Sequence, residues 1–271
     1  MKRHPINHQA VPDFDRDNEE STSMKITMIV IDLDDTLLRR DKTVSDYTRD
    51  VLRRCRKVGI KLVIATGRGH PEEVAPTELF DAIIANNGAN IIDGDIEICK
   101  CISYMEARPL LLACHKQGLR LTSQFGGVHY ANFDIAQVWQ YIKDFKIVDF
   151  ASHALDSEKI CVDGVTPEDA AFIEQNLTEN MYLKVARDGL GMVMRRDATK
   201  SAAIAELAYR WKISKLEIAA FGDDLNDIDM LEHAGIGIAM DNALDEVKAA
   251  ANRVCGDCDD DGVARWLEEN V

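Results

Sequence analysis

The chain has 271 residues, 46% of them apolar and 29% charged, an ordinary globular composition that excludes collagen-like, mucin-like and wholly disordered readings. Acidic residues outnumber basic ones 47 to 32, a net charge of −15, so the surface repels nucleic-acid backbones and any phosphate site must create its own positive field. No run approaches the roughly 18 uncharged apolar residues of a membrane helix. At roughly 150 residues per domain, this length holds about two domains. Seven scattered cysteines read as reduced thiols of a cytoplasmic protein. Cys99/Cys101 and Cys255/Cys258 invite a zinc reading, but such a site needs four ligands, and Cys-x-Cys is not its usual half.

Residues 1–23 carry many charges and no apolar run longer than two, so they read as a disordered extension rather than a signal peptide. Patterned sequence begins at Met24. Ile26–Ile31 is a continuous β-branched apolar run, the mark of a strand covered on both faces. Ser45 can cap a helix whose apolar stripe is Val51, Leu52, Cys55 and Val58, with Gly59 ending it. Leu62–Ala65 is the next buried strand, Pro71 sits where a helix can begin, and Ala82–Ala85 is a third strand. Leu216–Phe221, Gly235–Met240 and Asn252–Cys255 read as three more, separated by helical stretches. This alternation predicts an α/β fold with a doubly wound, mostly parallel sheet.

The middle of the chain has a different texture. Strand-like pieces (Arg120–Ser123, Lys159–Val162, Met181–Val185) mix with helical ones around Met105–Gln117 and Thr166–Asn176. Residues 101–190 therefore read as an inserted α+β domain, leaving 24–100 and 191–271 as the core.

Four polar clusters follow core strands, where ligands of open α/β sheets bind. In Asp32-Leu33-Asp34-Asp35-Thr36, Asp32 and Asp34 share one side of a strand tip. Two carboxylates so close favour a bound cation or a shared proton. Thr66-Gly67-Arg68 offers a hydroxyl and a backbone N–H to a phosphate oxygen. Lys200 lies in the first turn of a helix, against the dipole, so another group must hold it there. In Gly222-Asp223-Asp224-Leu225-Asn226-Asp227 the carboxylates are hard oxygen ligands suited to Mg²⁺. Each cluster alone also reads as a plain turn, cap or surface lysine. Together they are coherent. If Asp32 and Asp223 hold one metal, strand 1 lies beside the strand ending at Phe221, and the sheet order is 3-2-1-4-5.

With these motifs, with Asn87-Gly88-Ala89 and with Asp261-Gly262-Val263, the sequence resembles the haloacid dehalogenase superfamily of phosphohydrolases, specifically the Cof-type group with a type IIB cap. The resemblance runs from about residue 24 to 271. It implies Asp32 as nucleophile, giving an aspartyl-phosphate, and Asp34 as the acid that protonates the leaving alkoxide and then activates water, with a modestly raised pKa. It implies Mg²⁺ held by Asp32, the backbone carbonyl of Asp34, and Asp223, with Asp227 as outer ligand or orienting partner. Phosphoryl contacts fall to Leu33, Thr66, Gly67, Lys200 and Asn226. Ser201 after Lys200 and Asp35 in the first motif depart from the commonest pattern without removing a catalytic atom.

The expected activity is therefore Mg²⁺-dependent hydrolysis of small phosphate monoesters, a sugar phosphate or related metabolite, with no nucleic-acid or membrane partner. A sugar-phosphate mutase and a non-catalytic phosphometabolite sensor share the architecture. A receiver domain would be far shorter. In the cap, His129, Tyr130, Trp139 and His153 are candidates for substrate contact, each equally at home in packing.

Overall fold

The computed structural model describes residues 25–140, 142–186 and 188–271; the extension expected over 1–23 lies outside the described residues. Strand β1 (Met28–Ile31) is wholly buried, each side chain contributing about 1.5–3 kcal/mol of burial free energy. Helix α1 (Asp46–Lys57) is capped by the Ser45 side chain as expected. Strands β2 (Lys61–Ala65) and β3 (Ala82–Ala85) follow. Pro71 opens only a single turn of 3₁₀ helix, Pro71–Glu73.

An antiparallel hairpin, β4 (Asn90–Asp93) and β5 (Ile96–Cys99), then extends the sheet edge. The chain passes to a second unit: α2 (Tyr104–Lys116), β6 (Leu121–Phe125), β7 (Val128–Ala131), β8 (Phe145–Ile147), β9 (Lys159–Val162), α3 (Pro167–Gln175), β10 (Met181–Val185) and β11 (Gly191–Arg195). It returns through α4 (Lys200–Trp211), β12 (Ile218–Gly222), α5 (Ile228–His233), β13 (Ile236–Ala239), α6 (Asp245–Ala250), β14 (Arg253–Val254) and α7 (Gly262–Asn270).

The large sheet has the order β14-β13-β12-β1-β2-β3-β4-β5. Its six parallel strands carry the expected order, with β14 as a sixth strand beyond β13. The unforeseen hairpin makes the sheet mixed. The small sheet, β10-β11-β9-β6-β7-β8, includes β11, so the return to the core falls after Arg195 rather than at residue 190. Met192 and Val193 pair with Cys161 and Ile160 of β9, and that pairing keeps β11 with the insertion.

Register fixes which face of the small sheet looks at the core, because directly paired residues share a face. Leu121, Ile160, Val162, Met181 and Val193 form one face and pack with Leu110, Leu111 and Ile173 of α2 and α3. The other face carries Gln124, Lys159, Cys161, Met192, Met194, Tyr182 and Lys184. This second face meets the core, as Lys159 Nζ donates to the Gly67 carbonyl at 3.0 Å. Glu158 adds a buried polar junction, accepting from Asn86 Nδ2, Asn90 Nδ2 and the Gly126 amide, each at 3.1 Å.

Cys99 and Cys101 form a disulfide in the linker leading into the insertion, which corrects the expectation of reduced thiols at this pair. Their Cα atoms lie 5.4 Å apart, within ordinary disulfide reach. Cys55, Cys114, Cys161, Cys255 and Cys258 are free. Among the described residues, no helix is long and apolar enough to cross a membrane.

Candidate active site

Strands β1, β2, β3 and β12 end side by side, and their carboxyl ends deliver the polar clusters to one place. The Asp32 amide continues the β1 ladder by donating to the Phe221 carbonyl at 3.0 Å, which seats Asp32 beside the end of β12. Lys200 opens α4 after its cap, Thr199, and is 1% exposed. Its Nζ donates to Asp32 Oδ1 and Asp227 Oδ1, both at 2.6 Å. These two carboxylates are what hold a lysine against the helix dipole.

Asp227 is itself anchored, its Oδ2 accepting from the Asp223 and Asp224 amides at 2.9 and 3.1 Å. Gly222 allows this close return, since a Cβ there would lie 2.5 Å from the Asp227 Cβ. Thr36 Oγ1 donates to Asp223 Oδ1 at 2.8 Å, tying the first motif to the fourth.

Carboxylate oxygens of Asp32, Asp223 and Asp227 lie within 4.8 Å of one another. Burial drives the Asp32 carboxyl well above its ordinary pKa; Lys200 opposes this, and Asp227 and Asp223 reinforce it. Burial also pushes Asp223 up to about 7, helped by Asp227, Asp35 and Asp224 against the Thr36 hydrogen bond. Burial lowers the Lys200 ammonium, but Asp227 and Asp32 outweigh it and leave its pKa raised. The cluster thus carries more negative charge than one ammonium offsets. Hard oxygen donors with uncompensated charge fit a divalent cation.

Asp34 sits differently. Arg68 clasps it through Nε–Oδ2 and Nη2–Oδ1 contacts of 2.7 and 2.8 Å, and Lys42 Nζ lies 3.0 Å from Oδ1. Burial alone would raise this carboxyl, but hydrogen bonds from Arg68 and Lys42 hold it below its ordinary value. The expected modest rise is therefore overturned: two cations that sequence spacing did not place there stabilise the ionised form.

The remaining expected contacts surround this centre. Thr66 is buried, and its Oγ1 accepts from the Arg68 amide at 3.1 Å. The Leu33 side chain is buried in the core, so only its backbone can face a ligand. Asn226 Nδ2 donates to Asn87 Oδ1 at 3.1 Å, beside Gly67.

A cleft of ≈ 340 Å³ runs from Lys200, Asn226 and Asn87 to Tyr182, Lys184 and Met194 of the small sheet. Leu225, Ile228, Asp229 and Glu232 line it together from one stretch of chain, the turn into α5 and α5 itself. Sequence reasoning missed Tyr182 and Lys184, although their i, i+2 spacing on one strand face was the available signal. His153 instead packs on Phe150 and Tyr130, and Trp139 on Phe133. His129 pairs with Thr122 Oγ1 at 3.2 Å, and burial pushes its pKa down to about 4.

A family model of haloacid dehalogenase-like hydrolases matches residues 29–267. A putative phosphatase of Haemophilus influenzae is 30% identical over 259 residues, 88% of this chain and 94% of its own length. The 5-amino-6-(5-phospho-D-ribitylamino)uracil phosphatase YcsE of Bacillus subtilis is 29% identical, covering 91% of this chain and 96% of the relative. The solved HAD subclass IIB sugar phosphatase BT4131 superposes with a TM-score of 0.78 at 24% identity, over 90% of this chain and 98% of that one, a likeness of fold. With the family match spanning both sheets and all four motifs, the chain belongs to the haloacid dehalogenase-like hydrolase family.

Proposed function

We propose that this hydrolase is a Mg²⁺-dependent phosphatase that cleaves small phosphate monoesters, a sugar phosphate or related metabolite, through an aspartyl-phosphate on Asp32. The observation that carries the reading is the buried Asp32–Lys200–Asp227 arrangement with Asp223 at its edge. Asp32, Asp223, Asp227 and the Asp34 carbonyl would hold the ion, which when bound supplies positive charge for the transferring phosphoryl group.

The residues divide the remaining work. Asp32 is fixed by Lys200, so its free oxygen can attack phosphorus while the ester P–O bond breaks. The Thr66 hydroxyl, the Gly67 amide, Lys200 and Asn226 receive the phosphoryl oxygens. Asp34 delivers a proton to the leaving alkoxide, then takes one from the water that attacks the phosphorus of the aspartyl-phosphate. The carboxyl must first gain that proton. Arg68 and Lys42 hold it ionised, so both turn toward the phosphoryl group when the ester binds, and their loss from Asp34 lets its pKa rise.

The inserted domain serves as the specificity cap, its inner face roofing the cleft and excluding bulk water. A cleft of ≈ 340 Å³ suits a metabolite-sized leaving group. Hydroxyls can meet Lys184, Asp229 and Glu232, while carbon faces lie on Tyr182 and Met194. Similarity to phosphatases named for a ribitylaminouracil phosphate and for sugar phosphates supports that size class. Apart from the Cys99–Cys101 pair the cysteines are free thiols, and on that majority we place the protein in the cytoplasm.

The test is Mg²⁺-dependent phosphate release across a broad panel of phosphate esters, with Asp32→Asn as the blank. Release that disappears in the variant and with chelator supports the phosphatase. A rearranged sugar phosphate in place of free phosphate would identify a mutase.

A further inference from the structure

The turn Asn86-Asn87-Gly88, directly after β3, takes three successive left-handed residues, with φ of +49°, +54° and +104°. Asparagine tolerates that region better than most side chains, and glycine adopts it freely. The turn is buried, and it touches the loops that carry Thr66, Lys200 and Asn226. The Asn87 amide donates to the Thr66 carbonyl at 2.9 Å. Asn87 Oδ1 accepts from Asn226 Nδ2 at 3.1 Å. That same oxygen lies 3.1 Å from where a Gly67 Cβ would stand, so the Asn87 carboxamide packs closely against residue 67. A Cβ on Gly88 would meet the carbonyl of Thr199, the cap of the Lys200 helix, at 2.2 Å. From the cap side, Met194 Sδ accepts from Asn87 Nδ2 at 3.9 Å.

We propose that Asn87 is a positioning residue for the phosphate site, acting through Asn226; the inference rests on the phosphatase reading above. A phosphoryl group only accepts hydrogen bonds, whereas a carboxamide has a donor end and an acceptor end. A freely rotating Asn226 would present its carbonyl to the phosphate in part of its orientations. Asn87 Oδ1 takes one Nδ2 hydrogen, which fixes the donor end toward the site and leaves the second hydrogen for a phosphoryl oxygen. Asn87 is oriented in turn by Met194, whose sulfur accepts only. The cap therefore helps set the geometry of a phosphate contact made by the core. Preorganised donors of this kind are worth more than mobile ones.

The experiment uses the full chain with Mg²⁺, in wild type, Asn87→Gly, Asn226→Ala and the double variant. Readouts are calorimetric binding of inorganic phosphate, kcat/KM for p-nitrophenyl phosphate and the thermal midpoint. Glycine adopts a φ of +54° without strain, so Asn87→Gly keeps the turn, and the thermal midpoint reports separately what the lost side-chain contacts cost the fold. The substitution weakens phosphate binding and lowers kcat/KM by about tenfold, the loss expected for one misaimed hydrogen bond to a charged group. In the Asn226→Ala background the same change has no further effect, since the residue through which it acts is gone. Wild-type values in Asn87→Gly overturn the inference, and so do losses that multiply in the double variant, which mark a role independent of Asn226. A wild-type protein with neither phosphate binding nor Asp32-dependent turnover overturns the phosphatase reading and the inference with it. Wild-type turnover alongside an inert Asn87→Gly change removes the inference alone.

Discussion

Lys200 Nζ lies 2.6 Å from Asp32 Oδ1 at the end of β1, 168 residues away in the chain. With Asp227 at the same distance, the ammonium is the counter-ion of a buried acidic pair. Lys200→Met removes the charge while keeping an unbranched side chain of similar reach. Leaving buried carboxylates unpaired costs about 3–5 kcal/mol, so the thermal midpoint falls at neutral pH. Phosphate release drops by about 10²- to 10³-fold, the usual cost of removing a preorganised charge at a transition state. Added Mg²⁺ recovers part of the lost stability, because the ion offsets the same carboxylates. A variant whose melting is unchanged by either substitution or Mg²⁺ would show that Lys200 is not their counter-ion.

Asp32→Asn separates chemistry from folding. An amide is nearly isosteric and still offers Oδ1 to Lys200. It no longer provides a carboxylate to attack phosphorus. Because burial drives the native carboxyl well above its usual pKa, the carboxylate is destabilising where it sits, and the neutral variant melts at the same temperature as wild type or higher. Phosphate release falls to the blank. Retained turnover in a purified, folded variant contradicts a covalent role for this residue.

Asp223→Ala tests the metal assignment. Burial and three neighbouring carboxylates push Asp223 up to about 7, and a bound cation would relieve that strain in charge. The substitution removes one hard oxygen donor and frees the Thr36 hydroxyl that it accepts from. The Mg²⁺ concentration giving half-maximal phosphate release rises by at least about tenfold, a lower bound taken from losses caused by outer-shell changes. An unchanged Mg²⁺ titration places the ion elsewhere.

The parallel strands were legible because β1, β2 and β12 are apolar runs buried on both faces, a pattern few other elements share. The hairpin β4–β5 was not, since Ile96, Glu97 and Cys99 are largely solvent-facing and leave no buried apolar run to mark a strand. Strand β11 escaped for another reason: its Gly191 and Arg195 ends bound only three apolar residues. At the site, residue types and order were enough to bring Asp32, Thr66, Lys200 and Asp223 together. The low Asp34 pKa was not readable. Arg68 reads as part of a phosphate turn, and its reach to Asp34 at the end of the neighbouring strand depends on side-chain geometry that spacing does not encode. Tyr182 and Lys184 were hidden among strand residues until pairing with Met194 and Met192 showed which face they occupy.

Asp261 ties the C-terminal segment to the start of α1, and acid should loosen that tie. Its Oδ1 accepts from Ser45 Oγ at 2.7 Å and Thr48 Oγ1 at 3.0 Å, while Arg39 Nη2 donates to Oδ2 at 2.7 Å. Burial raises this carboxyl, but the bonds from Ser45, Arg39 and Thr48 outweigh it and leave the pKa lowered. A carboxyl whose folded pKa is depressed contributes its full stability above the ordinary carboxylate range. That contribution is lost as pH falls through the lowered value. Asp261→Asn isolates the charge, because asparagine also accepts the left-handed φ of +57° found here. The variant is less stable than wild type by about 1–2 kcal/mol at neutral pH. The difference shrinks on acidification, since wild type loses what the variant never had. Thermal midpoints of both proteins, compared at neutral pH and well below the carboxylate range, check this; a gap of equal size at both would assign the loss to shape rather than charge.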